Sequence, residues 1–201
     1  MANIPKDEIK RKVIHLAILV YVLGYWYFPK NVVVSVMVSV IVVVASCELV
    51  RFKSRKVNIF LKNNFKGFYR PQEIYKISGL IGTLSGSLIT ILLFKNKHVV
   101  LTSFLYLIFG DSAAALAGKS IGKHKIMLSE KSLEGSLACF VTCFIAGLFN
   151  FNWVFALTGA IVATIVEAIP WKINDNFWIP IINAGFLTTL SNVITGCVYN
   201  K

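Results

Sequence analysis

The sequence predicts an all-α fold: a polytopic membrane protein of about seven transmembrane helices, with its N-terminus inside. Three observations carry that expectation. Hydrophobic residues make up 56% of the 201, and mean hydropathy is +0.70, more than a soluble core of this size uses. The apolar residues come in blocks that approach or reach the roughly 17–25 residues needed to span a bilayer. The basic residues fall almost entirely between alternate blocks.

Taken in order, the blocks are about 13–28, 31–50, 77–94, 98–117, 133–149, 153–169 and 177–198. The first follows "KDEIKRK", which is also how a secretory signal begins. The run has no small-residue cleavage site and ends in "YWYFPK", so it reads as a retained helix. Between the second and third blocks, residues 51–76 mix Lys and Arg with Phe52, Ile59, Phe60, Leu61, Phe65, Phe68 and Tyr69. That composition suits a helix lying in the membrane interface, ended by Pro71. The connections at 29–31, 95–98 and 150–152 are too short to build a site. No repeat or linker divides the chain, so 1–201 reads as one integral-membrane domain.

A net charge of +12 invites a nucleic-acid reading, but its distribution excludes one. Lys6, Lys10, Arg11, Lys12, the 51–76 loop, Lys119, Lys123, Lys125, Lys131 and Lys172 all fall on one side of the threaded chain. Only Lys30, Lys95, Lys97 and Lys201 fall on the other. This is the positive-inside pattern, and it sets orientation in the lipid bilayer. Anionic headgroups or a phosphate ligand are its secondary uses. Cys47, Cys139, Cys143 and Cys197 lie in or near apolar blocks without metal-site pairing. Cys139 and Cys143 share a helix face and read as packing.

An acid near the membrane centre costs roughly 2.5–3.5 kcal/mol on insertion scales, so each one needs a reason. Glu48, Asp111, Glu134 and Glu167 lie inside or at the ends of apolar blocks, and Asp175 is expected in the loop before the seventh. His15 opens the first block. All six thread to the inner side. Glu48 has a plain alternative, an i,i+3 ion pair with Arg51. Asp111 does not, because a long apolar run precedes it and small residues follow. Acids and lysines meeting at one aqueous boundary suit a phosphate ester held with Mg²⁺, which takes carboxylate oxygens and phosphates together. The "GKS" at 118–120 is not the end of a P-loop. That motif needs Gly at 113, where Ala113 stands, and a preceding strand.

The run Asp111-x-x-Ala114-x-x-x-Gly118-x-x-x-Gly122-x-x-Lys125, followed by Lys131-Ser132-x-Glu134-Gly135, resembles the CTP-binding signature of polyprenol kinases. The wider family includes dolichol kinase, phytol kinase and CTP-dependent diacylglycerol kinase, and is related to phosphatidate cytidylyltransferase. "EIKRKVIH" at 8–15, "CELVR" at 47–51, Glu167 and "DNFWIP" at 175–180 fit it too. Glu130 stands where dolichol kinases carry the first of two adjacent basic residues, which favours a compact prokaryotic-type member. The resemblance implies transfer of phosphate from CTP, with Mg²⁺, to the hydroxyl of a membrane lipid. The acceptor would be diacylglycerol or a prenol such as phytol, geranylgeraniol or a polyprenol, met at the cytoplasmic face of a prokaryotic plasma membrane. It further implies Asp111 and Asp175, with Glu167, as metal ligands. Asp111, Asp175, Glu134 and His15 are the implied catalytic groups. Ala114, Gly118, Lys119, Gly122, Lys125, Lys131, Ser132, Gly135, Asn176, Arg11 and Lys12 would bind the nucleotide.

Two rivals remain at this level. A phosphatidate cytidylyltransferase would share nucleotide and metal. A transporter would use the acids as an ion path, but transporters place polar groups near the midplane and often show inverted repeats, neither of which is visible here.

Overall fold

The computed structural model describes residues 18–64, 78–126, 131–171 and 174–199. Arg11, Lys12 and His15, the part of the interfacial loop from 65 to 77 with Pro71, and Glu130 lie outside the described residues. The chain forms α1 (Ile18–Tyr27), α2 (Lys30–Lys53), α3 (Arg55–Asn64), α4 (Gly79–Leu93), α5 (Lys97–Ser120), α6 (Leu133–Leu148), α7 (Trp153–Ala168) and α8 (Asp175–Tyr199). No strand occurs among the described residues, only an isolated antiparallel bridge between Lys125 and Ser132.

The helices follow the apolar blocks for a physical reason. In hydrocarbon a backbone has no water to bond, so even a valine-rich segment such as α2 satisfies its amides internally as a helix. Polar side chains of the apolar helices do likewise: Ser39 and Ser46 of α2, Thr90 of α4 and Ser103 of α5 donate to the carbonyl four residues back. Val32, Val36, Val42 and Val43 of α2 are exposed, as a lipid-facing stripe would be. Among the described residues three helices, α2, α5 and Asp175–Ile194 of α8, are long and apolar enough to cross a membrane. α4, α6 and α7 are shorter apolar helices of 15, 16 and 16 residues, and α1 is described over 10. Asn96 and Asn152 cap the starts of α5 and α7 by accepting two amides each.

One local expectation changes. Asp175 does not sit in a loop but is the first residue of α8, where an acid favours the positive helix end. The basic-aromatic stretch after α2 is helical over Arg55–Asn64, with Ile59 and Phe60 exposed beside the exposed Arg55 and Lys56.

α5 is the axis of the bundle, buried from Val99 to Phe104 and again from Tyr106 to Ile108. One apolar cluster joins it to α1, α2 and α4 through Tyr25, Met37, Ile91 and Phe104. Another joins it to α6, α7 and α8 through Tyr106, Cys143, Ala160 and Leu187. Within α5, Tyr106–Gly110 form a single π turn. A Cβ on Gly110 would lie 2.5 Å from Cys143 Sγ and 3.2 Å from Cys139 Sγ, so both thiols fill the space of the missing side chain. The Cys143 thiol donates to the Tyr106 carbonyl at 3.8 Å. Such turns concentrate at functional sites, and this one delivers Asp111 as the next residue.

Candidate active site

Beyond Ser120 the chain reverses as a hairpin. Lys125 bridges to Ser132, the Ile126 amide donates to the Lys131 carbonyl at 2.8 Å, and the Leu133 amide donates to the His124 carbonyl at 2.9 Å. Ser132 then caps α6, its hydroxyl accepting from the Gly135 amide at 3.1 Å. Glu134 ties the hairpin to α6: its carboxylate is 2.8 Å from His124 Nδ1 and accepts the His124 amide.

The glycines of the motif make a close helix seam. A Cβ on Gly135 would stand 2.7 Å from the Ala114 carbonyl and 3.3 Å from Gly118 Cα. One on Gly122 would collide with the Gly118 carbonyl and stand 2.6 Å from Ser132 Oγ. The end of α5 therefore presses directly on the start of α6, which sets the hairpin's root. The backbones of these glycines meet one another and Ser132, and Gly122 and Lys125 are exposed.

Lys131 stands at that root, and its ammonium gathers residues from two other helices. Nζ lies 2.8 Å from Glu167 Oε1 and 2.8 Å from Asp175 Oδ2, and it also donates to the Glu167 main-chain carbonyl. Partial burial pushes the lysine pKa down, but the two carboxylates outweigh it and the pKa is raised. Glu167, on the last turn of α7, is 4% exposed, and its Oε2 is buried without a hydrogen-bond partner among the described residues. Asp111 is 5% exposed and within electrostatic reach of Glu167. Asn176 is buried beside Asp175, and Lys119 is exposed.

The fold thus brings together Asp111, Glu167, Asp175, Asn176 and Lys131, from three helices and a hairpin. Glu48 goes elsewhere, forming a buried 2.5 Å pair with Arg51, the i,i+3 alternative weighed above. For a metal, the donors fit in part. Among the described residues no three His, Cys, Asp or Glu side chains form a ligand group. Yet Mg²⁺ commonly takes only one or two carboxylates, completed by water and phosphate. Glu167 and Asp175 already share one cation, and Glu167 keeps an unsatisfied oxygen. Two features escape sequence reasoning. His124 had no signal apart from the hairpin register that sets it against Glu134, and the π turn depends on thiols from another helix.

A membrane-type helical bundle with a carboxylate–ammonium cluster under a basic hairpin defines the class. No family model and no solved structure matches the chain. Named relatives do. CTP-dependent diacylglycerol kinase 1 of Saccharomyces cerevisiae is 28% identical over 93% of this chain and 74% of its own length. Its Schizosaccharomyces pombe namesake is 26% identical over 90% and 93%. An uncharacterised Rickettsia prowazekii protein is 27% identical over 87% and 90%. These relatives support the CTP-dependent lipid kinase family that the motif spacing resembles.

Proposed function

We propose that this chain is a CTP-dependent lipid kinase, a phosphotransferase with an alcohol acceptor, and that the acceptor is diacylglycerol. One observation carries the reading: similarity to CTP-dependent diacylglycerol kinases runs along nine-tenths of the chain. It does not favour the cytidylyltransferase alternative. The chain balances simply. The γ-phosphoryl of CTP passes to the lipid hydroxyl, the β–γ bridge breaks to leave CDP, and the hydroxyl proton departs.

Each site residue has a role consistent with its place. Lys119, exposed at the end of α5, and Lys125, exposed on the hairpin, meet the triphosphate from the water. Glu167 and Asp175 would hold Mg²⁺, which when bound neutralises phosphate charge. Asp111 is buried behind a long apolar run, at a depth suited to a lipid hydroxyl, and takes its proton. Phosphoryl transfer depends chiefly on positioning and charge, so this set suffices. We place the site at the cytoplasmic face of a prokaryotic plasma membrane, in a seven-span topology with the N-terminus inside, because CTP is cytosolic and the basic loops gather on that side.

The test offers purified protein γ-labelled CTP and Mg²⁺ in mixed micelles, with diacylglycerol, geranylgeraniol, a long polyprenol or phosphatidate supplied separately. Label in phosphatidate formed from diacylglycerol, with CDP released, supports the reading. Labelled pyrophosphate appearing only with phosphatidate replaces it with cytidylyl transfer.

A further inference from the structure

We infer that the Lys131 ammonium holds the place of a divalent cation between Glu167 and Asp175, and that a metal entering there expels it. The inference rests on the proposed kinase reading for its purpose, but on the site's geometry for its substance.

The ammonium sits 2.8 Å from one oxygen of each carboxylate, at the point where a shared cation would lie. An ammonium has three N–H donors. Among the described residues they face three acceptors on the two carboxylate residues: Glu167 Oε1, the Glu167 carbonyl and Asp175 Oδ2. Glu167 Oε2 is left over, buried and without a hydrogen-bond partner among the described residues. That leftover oxygen is the second observation, independent of the clustering of acids. A buried carboxylate oxygen without a donor is unfavourable, and a lysine has no further proton to give it. A divalent ion, which takes six or more oxygens, can use it.

The buried Asp111 also lies within electrostatic reach of Glu167. The lysine also has somewhere to go. It is the residue before the Ser132 cap, and its side chain is 28% exposed against 6% for Glu167 and 14% for Asp175. Released from the carboxylates, Lys131 turns toward the side from which a triphosphate arrives. Metal entry and delivery of a cation to phosphate are then one exchange. The nucleotide-free protein keeps its acids neutralised without a resident metal.

The experiment measures Mn²⁺ binding by electron paramagnetic resonance on the full chain in detergent, without nucleotide. Lys131→Met should bind Mn²⁺ about tenfold or more tightly than the unsubstituted protein, since the competing charge is gone. Adding Glu167→Gln to Lys131→Met should abolish the gain. Lys131→Met binding no more tightly than the parent overturns the inference. A second measurement needs no substitution: reductive methylation of Lys131, read by mass spectrometry against Lys125 as reference. Saturating Mn²⁺ alone should speed Lys131 labelling severalfold, and an unchanged ratio overturns the exchange. Neither readout involves CTP or lipid. Loss of the kinase reading in the micelle assay therefore leaves this inference standing, and its own failure leaves the kinase reading untouched.

Discussion

The Cys143 thiol occupies the space that a side chain at residue 110 would need, 2.5 Å from where that Cβ would stand. Gly110 and Cys143 are thus complementary across the α5–α6 contact, and Asp111 follows directly. Gly110→Ala should force the π turn to shift, destabilising the protein by about 1–3 kcal/mol and displacing Asp111. Lipid phosphorylation should fall by on the order of a hundredfold. Gly110→Ala with Cys143→Ala should recover most of the loss, since the thiol is what collides. Steady-state assays of the two single variants and the double variant check this; no recovery would mean that Asp111 is not placed through this contact.

Asp111→Asn preserves shape but removes the charge and the proton acceptor. Turnover should drop by a hundredfold to ten-thousandfold, the range for losing a general base, with the thermal unfolding midpoint in detergent changing little. Full activity in this variant would remove Asp111 from the site.

The Glu134–His124 contact pins the hairpin to α6. His124→Ala and Glu134→Ala should each raise KM for CTP a few-fold with kcat largely kept. The double variant should be no worse than either single one, because both break the same link. A collapse of kcat in Glu134→Ala alone would assign Glu134 to the chemistry instead.

Opposite faces of the bundle should label from opposite sides of the membrane. In a chain with its native cysteines replaced by alanine, Lys95→Cys should react with an impermeant maleimide in intact cells, and Lys123→Cys only after permeabilisation. The reverse pattern would invert the proposed orientation. His98→Ala, at the Lys95 end, removes the 3.3 Å contact with Asn150 and an edge-on ring contact with Trp26, and should leave kinase activity within about twofold, as surface changes usually do.

The helices were legible because lipid imposes its rule on composition alone. The blocks read at 133–149 and 153–169 end within a residue of α6 and α7. The convergence of Asp111, Glu167 and Asp175 was also legible, through topology. What sequence could not show is partner choice across long separations. Lys131 reaches residues 36 and 44 positions away, and nothing local distinguishes it from Lys125. The packing role of the glycines was hidden for a related reason. Glycine permits close approach by any backbone, and in Gly118 and Gly135 the neighbour is a helix. The start of α8 was placed too late because Asp175 and Asn176 are polar. Their helix begins with them, Asn174 accepting the Asn176 amide at 3.2 Å.

The short connection from α7 to α8 has an electrical consequence. Glu167 belongs to the last turn of one helix, where partial negative charge accumulates, and Asp175 opens the next, where partial positive charge does. The cluster therefore sits between two helix ends of opposite polarity, and the field across it has a direction. A bound cation–anion pair with its cation toward Glu167 lies along that field, and the reversed pair lies against it. The backbone alone thus gives the cluster a polarity that no side chain in it has to supply.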